Sequence, residues 1–192
     1  MSQSSEERNY HIFYMLCAGA TSDLYKKLRL QPPDKFRYLS KGCSQYFCTK
    51  ESDKTLGADR KSAEHAKKGP LRDPMLDDAK YFNKLDDGLK KLGMSDSVSA
   101  IVFLCLTMYS CYCCNETAFV PSSQDRLSAY TTIASVLHLG NIEFEDDPDD
   151  NRGGCRVTDA SEKSLQITGE LLGLDPGNVK YGLKINQIEQ IN

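Results

Sequence analysis

Apolar residues recur along this chain with the period of helices, and rarely with the alternation of strands. Tyr10, Phe13, Leu16 and Cys17 fall on one helical face. Ahead of them, Ser4 to Glu7 reads S-x-x-E, a capping box in which Ser and Glu side chains satisfy free backbone N–H groups. Gly19 is expected to end that helix. Thr21 is placed to cap a second one, which carries Leu24 and Leu28 and is stopped by Pro32 and Pro33. After Pro74, Phe82, Leu85, Leu89 and Leu92 recur at spacings of 3, 4 and 3, and Gly93 suits the left-handed C-terminal position. Leu127, Tyr130, Ala134 and Leu137 repeat that spacing before Gly140. Asp159-Ala160-Ser161-Glu162 is another capping box; its helix carries Leu165, Thr168, Leu171 and Leu172 and ends at Gly173. Asp175-Pro176 has the N-cap and first-turn order that starts a short helix. The pattern predicts a mainly α unit without internal repeats.

Three stretches break this rhythm. Thr49 to Arg72 is dense in Lys, Asp, Glu and Arg, and reads as a surface excursion with at most short helical turns. Val98 to Cys114 is almost uncharged and rich in β-branched, aromatic and cysteine residues. Its 17 residues lie at the bottom of the membrane-spanning range and are diluted by Ser, Thr and Tyr, so no membrane span is expected. Glu143 to Asp150 is acidic and leads to Gly153-Gly154, a solvated turn between elements.

Bulk properties narrow the function class. The chain has 192 residues, 40% hydrophobic and 27% charged, enough for one domain or large subdomain with a core. The net charge of −3, with no uncompensated cluster of Lys and Arg, argues against a nucleic-acid partner. Met1 to Arg8 is polar and acidic, the reverse of a signal peptide, so a cytoplasmic setting with reduced thiols is expected for the eight cysteines.

Individual candidates for chemistry are weak. Cys105, Cys111, Cys113 and Cys114 crowd together, but structural zinc needs a second knuckle or a pair of histidines, and neither is present. His11 and His138 sit in helical, apolar contexts and read as packed or capping histidines. Asn115-Glu116-Thr117 matches a glycosylation acceptor that a cytoplasmic chain leaves unmodified. The phosphate-cradling pattern G-x-x-x-x-G-K-[ST] is missing. No catalytic, cofactor-binding or metal-ligating residue is assigned.

Longer segments carry a family resemblance. Glu7-Arg8-Asn9-Tyr10-His11-Ile12-Phe13-Tyr14 resembles the helix that follows switch I of myosin heads, and Val136-Leu137-His138-Leu139-Gly140-Asn141-Ile142-Glu143-Phe144 resembles the family's V-L-H-L-G-N-I-x-F segment. Glu170-Leu171-Leu172-Gly173-Leu174 resembles the helix end that follows. Arg37-Tyr38-Leu39, Gly42-Cys43, Tyr46-Phe47, Lys50-Glu51-Ser52-Asp53-Lys54 and Asp73-Pro74-Met75-Leu76-Asp77-Asp78 are similar to class VI, whose members walk toward the actin minus end and carry an extra surface segment near the nucleotide pocket. Residues 49–72 sit where that insert would be.

The resemblance implies a partial motor domain over residues 1–183, a helical subdomain of the upper 50 kDa region, followed by an unrecognised tail at 184–192. The complete protein is then a P-loop motor whose nucleotide-binding sheet lies outside this chain, and Met1 falls where a head is already under way. ATP and Mg²⁺ are implied as cofactors of the complete family member, with actin filaments and the rest of the head as partners and the actin cytoskeleton as location. The switch I Ser-Ser-Arg run and the switch II D-I-A-G-F-E are missing from the sequence, so this chain alone is expected to be inactive and to bind no ATP. The alternatives are a non-enzymatic helical interaction module on a motor-derived scaffold, and a truncated gene-model product. Val98 to Gln124 interrupts the family pattern: with these 27 residues removed, Ser97 runs into Asp125 without a gap. Val98-Ser99 can be encoded by GTAAGT and Gln124 by CAG, the edges of a retained intron.

Overall fold

A computed structural model describes residues 4, 6–92, 94, 126–147 and 155–191, the last eight as helical backbone. Gly93, Val98–Gln124 with its four cysteines and its Asn-Glu-Thr triplet, and the Gly153-Gly154 turn lie outside the described residues.

Helix α1 (His11–Gly19) ends where Gly19 predicts, but it is not opened by the Ser4–Glu7 box. Glu7 N–H instead donates to the Ser4 carbonyl in a separate turn, and Tyr10 is an N-cap without a side-chain cap. The helix starts only at His11, and Tyr10 ahead of it is 73% exposed, off the buried face that the period predicts. Helix α2 (Ser22–Lys27) is capped by Thr21, whose Oγ1 accepts the Leu24 N–H at 3.3 Å. It stops before the prolines: Arg29 turns left-handed at φ 53°, and Pro33 opens a 3₁₀ turn, Pro33–Lys35. Helix α3 (Arg37–Ser40) follows.

Residues 49–72 form short helices, α4 (Lys50–Thr55) and α5 (Ala63–Lys68), around a 3₁₀ turn at Ala58–Arg60. Thr49 and Ser52 form a reciprocal capping box on α4, and Ser62 caps α5. The segment is tied in rather than looped out. Leu56 joins the main core, and Phe47 and Leu71 bridge in parallel at its base.

Helix α6 (Asp78–Lys91) is capped by Asp77 and buries Phe82 with Leu85 and Leu89 packed beside it; Leu92 lies past its end and is exposed. Helix α7 (Arg126–Leu139) buries Tyr130, Ala134 and Leu137 as predicted. The acidic stretch is not all turn. Strand β1 (Phe144–Asp146) pairs antiparallel with β2 (Cys155–Val157), Phe144 opposite Val157, and Arg156 Nε donates to Glu145 across the ladder at 2.7 Å.

Asp159–Ser161 is a 3₁₀ turn, so the box expected at Asp159 does not form. Helix α8 (Glu162–Leu172) starts after it and ends on left-handed Gly173. Asp175 Oδ1 accepts the N–H groups of Gly177 and Asn178, opening α9 (Pro176–Ile191), a 16-residue helix where a short one is expected.

The main core gathers Tyr14, Leu16, Phe36, Leu39 and Leu137, with α1 lying against α6 and α7. A smaller cluster of Ile142, Val157 and Leu165 lies under the hairpin, beside α9. The outcome is the mainly helical subdomain that the apolar periods predict.

Candidate functional site

Four of the segments that carry the resemblance, residues 7–14, 42–43, 46–47 and 73–78, meet at a buried polar joint. Arg8 precedes α1 and Asp78 opens α6. Their side chains are 6% and 3% exposed, and the guanidinium donates to both carboxylate oxygens at 3.0 and 2.9 Å. The guanidinium is sandwiched 4.0 Å from the Tyr14 ring centroid and 4.6 Å from that of Phe47. Asp78 Oδ2 also accepts the Phe47 N–H at 2.8 Å. Tyr14 Oη donates to the Cys43 carbonyl at 2.8 Å and accepts the Asn9 N–H at 3.3 Å. Burial pushes the Tyr14 hydroxyl pKa up. One ion pair thus ties the start of α1, the start of α6 and the irregular 43–48 segment together. Two buried charges gain little net stability from each other, but an unpaired one is costly, so the pair specifies one register.

Asp77 beside it holds the start of α4. Its Oδ2 accepts the Thr49 N–H at 3.1 Å and the Ser52 hydroxyl, while Oδ1 accepts the Lys80 N–H at 3.0 Å. Burial pushes the Asp77 carboxyl pKa up, but the bonds from Ser52, Lys80 and Thr49 outweigh it and leave the pKa lowered.

The 49–72 segment has its own buried anchor. His65 is 1% exposed at its side chain; its Nδ1 accepts the Tyr46 N–H at 3.2 Å, which leaves Nε2 to donate to Asp53 Oδ1 at 3.0 Å. Lys61 Nζ meets the same oxygen at 2.8 Å. The bonds from His65 and Lys61 lower the Asp53 pKa.

His138 is packed as expected, 5.3 Å from the Phe36 ring, with Nε2 3.2 Å from the Leu28 carbonyl. His11 is not: it begins α1 on the exposed side. The two are not brought together.

Sequence reading missed Arg8, Asp78 and His65. A signal existed for Asp78, which continues the apolar stripe of Phe82, Leu85 and Leu89 one turn back. An acid on a buried stripe announces a buried partner. His65 had no such signal, because its partners Tyr46 and Asp53 lie in separate short elements.

The joint is a clamp of one ion pair and backbone hydrogen bonds, and it holds no nucleophile–base pair. Among the described residues no three His, Cys, Asp or Glu side chains converge as metal ligands, and no helix is long and apolar enough to cross a membrane. Cys17, Cys43 and Cys48 are buried, unbridged thiols, and burial pushes Cys17 and Cys48 up to about 12.

A family model described as myosin head (motor domain) matches residues 1–112. The chain is 44% identical over 182 residues to Myosin heavy chain 95F of Drosophila melanogaster, covering 95% of this chain and 12% of that protein. It is 40% identical over 181 residues to Unconventional myosin-VI of Bos taurus and of Homo sapiens, covering 94% of this chain and 12% of each. The chain therefore spans about an eighth of the length of these relatives, and by its match to the head it belongs to the myosin motor-domain family.

Proposed function

We propose that this chain is a piece of the upper 50 kDa region of a class VI-like myosin. In the complete protein it would help couple nucleotide state to actin affinity, as a rigid helical body whose displacement is transmitted and not as a source of chemistry. The complete protein is then a cytoplasmic, Mg-ATP-driven motor on actin filaments. The observation that carries this reading is the Arg8–Asp78–Phe47 joint, which ties the helix resembling the one after switch I to two of the segments similar to class VI. Relatives named myosin-VI at 40% identity favour that class.

Residues 49–72 fit the class VI insert near the nucleotide pocket, where they would modulate nucleotide exchange without touching phosphate. The buried His65–Asp53 anchor suits a segment with a fixed shape. Val98–Gln124 fits a retained intron, and the test is a transcript spanning both ends: one lacking the codons for these 27 residues would support that reading, and its absence would overturn it.

The complete gene product is expected to show actin-activated ATPase and to move filaments in the direction of minus-end motors. Absence of actin activation, or plus-end movement, overturns the motor or the class assignment respectively. The 192-residue chain alone is expected to give no heat of ATP binding in calorimetry and no turnover.

A further inference from the structure

One side chain in the contact between residues 49–72 and the 43–48 segment can change its hydrogen-bonding sense. His65, on α5, is 1% exposed and meets the Tyr46 ring edge-on, with 5.4 Å between centroids. A backbone N–H can only donate, so the Tyr46 N–H, 3.2 Å from Nδ1, requires that Nδ1 carry no proton. The single ring proton then sits on Nε2 and points at Asp53 Oδ1. The ring therefore bridges Tyr46 and α4 only while it is neutral.

A second proton has one place to go, Nδ1, where it sets two donors against each other and ends the Tyr46 bond. At the other end of the ring, Nε2–H and the Asp53 carboxylate become a charge-assisted pair. The charged groups nearby are otherwise engaged. Lys61 Nζ shares the same Asp53 oxygen at 2.8 Å. Glu64 pairs with Lys68 and accepts the Ser44 N–H. Asp34 accepts the Ala63 N–H, and the Arg60 guanidinium goes to the carbonyls of Ala18 and Ala20. The phenol of Tyr46 donates to the Arg60 carbonyl.

We propose that protonation of His65 opens the Tyr46 contact while α5 stays tied at Ser44, through the Ser62 hydroxyl and Glu64, so that residues 49–72 are partly uncoupled from the buried joint. Tyr46 is the link: its ring lies 6.4 Å from that of Tyr14, and its neighbour Phe47 covers the Arg8 guanidinium. Histidine is the side chain whose ordinary titration falls between pH 5 and 8. An effect on nucleotide exchange rests in addition on the proposed role of residues 49–72; amide exchange in this chain tests the latch independently of that role.

Amide exchange of the 192-residue chain is followed by NMR from about pH 7.5 to about pH 5, with the Phe47 N–H, held by Asp78, as internal reference. At the upper end, imidazole nitrogen shifts are expected to show a neutral ring protonated on Nε2. As the ring takes its second proton, Tyr46 protection is expected to fall about tenfold or more relative to Phe47, after correction for intrinsic exchange. A general loss of stability lowers both amides alike and cancels. In His65→Gln the ratio is expected to stay within about twofold over the range. In Asp53→Asn the ring should protonate at lower pH, because the carboxylate charge is gone, and the Tyr46 change should move with it. A ring protonated on Nδ1 at the upper end, a ring that stays neutral throughout, or an unchanged ratio after protonation overturns the proposal. So does the same fall in His65→Gln, or a Tyr46 change that does not follow the ring in Asp53→Asn.

Discussion

Asn141 reaches back more than a hundred positions to hold the chain ahead of α3: its Oδ1 accepts the Arg37 N–H at 2.7 Å and its Nδ2 donates to the Lys35 carbonyl at 3.1 Å. The Arg37 side chain meanwhile meets Glu143 at 3.0 Å, with both groups about half exposed. These contacts join two segments of the family resemblance but differ in worth. Asn141→Ala removes both backbone clamps and is expected to cost about 1–3 kcal/mol. Arg37→Ala keeps its own N–H and is expected to cost less than about 1 kcal/mol. Urea melts of the two variants check the order; a larger loss for Arg37→Ala would refute the clamp.

The Arg8–Asp78 pair predicts a different pattern. Asp78→Ala strands a guanidinium that is 6% exposed, and a loss of roughly 3–5 kcal/mol is expected. Replacing both partners, as in Arg8→Met/Asp78→Leu, should recover much of that loss, because the desolvated charge goes with its partner. The Phe47 N–H then loses its acceptor, so recovery should be incomplete. Thermal melts of the single and double variants decide; additive losses would mean that the pair is not coupled.

These two sites show what the sequence made legible. Apolar periods located α6, α7 and α8 and much of their buried faces, because a helix is a local object whose stripe depends only on spacing. The caps at Thr21 and Asp175 were legible for the same reason. Ser4 and Asp159 misled: each has the S/D-x-x-E letters, but Glu7 and Ser161 close turns before the helix begins. The Arg8–Asp78 joint is 70 positions apart in sequence, and only the acid on an apolar stripe hinted at it. His65 and the β1–β2 hairpin were illegible because their partners lie in separate short elements.

Close helix packing gives a paired test on glycines. A Cβ at Gly19 would lie 2.3 Å from Phe82 Cβ, whereas one at Gly88 meets nothing within 4 Å. Gly19→Ala must push α6 away from α1, and a loss of about 1–3 kcal/mol is expected. Gly88→Ala lies inside α6 and should stabilise by about 0.5–1 kcal/mol through helix propensity. Denaturant midpoints measured side by side check both signs.

His138 gives a pH dependence. Burial lowers its pKa below the ordinary 6.5, although the Leu28 and Arg29 carbonyls pull the other way. The unfolded chain therefore binds a proton at a pH where the folded chain does not. The stability contributed by neutral His138 is present above 6.5 and is lost as pH falls from there toward the folded value. Carboxylates with lowered pKa, such as Asp53, act in a more acidic window. Unfolding free energies at about pH 7.5 and 5.5 should fall more for the parent than for His138→Gln. An equal fall in both would place the effect elsewhere.

The last prediction concerns Val98–Gln124. Asp86 Oδ1 accepts Arg126 Nη1 at 2.8 Å and the Tyr130 hydroxyl at 3.0 Å, and Lys90 closes on its Oδ2 at 2.7 Å. Burial pushes the Asp86 pKa up, yet Lys90, Tyr130 and Arg126 together leave it lowered. The start of α7 is therefore held beside a residue five positions before the end of α6, a rise of about 8 Å. Residues 92–97 and 125 extend to roughly 23 Å, so they suffice to join the two helices. A variant lacking 98–124 is expected to keep its helical circular dichroism and to melt cooperatively at an equal or higher temperature. Removing an apolar, low-charge segment should also raise its solubility. Loss of cooperative melting in that variant, with Asp86→Ala destabilising the parent as the Arg126 contact requires, would show that the 27 residues belong to the fold.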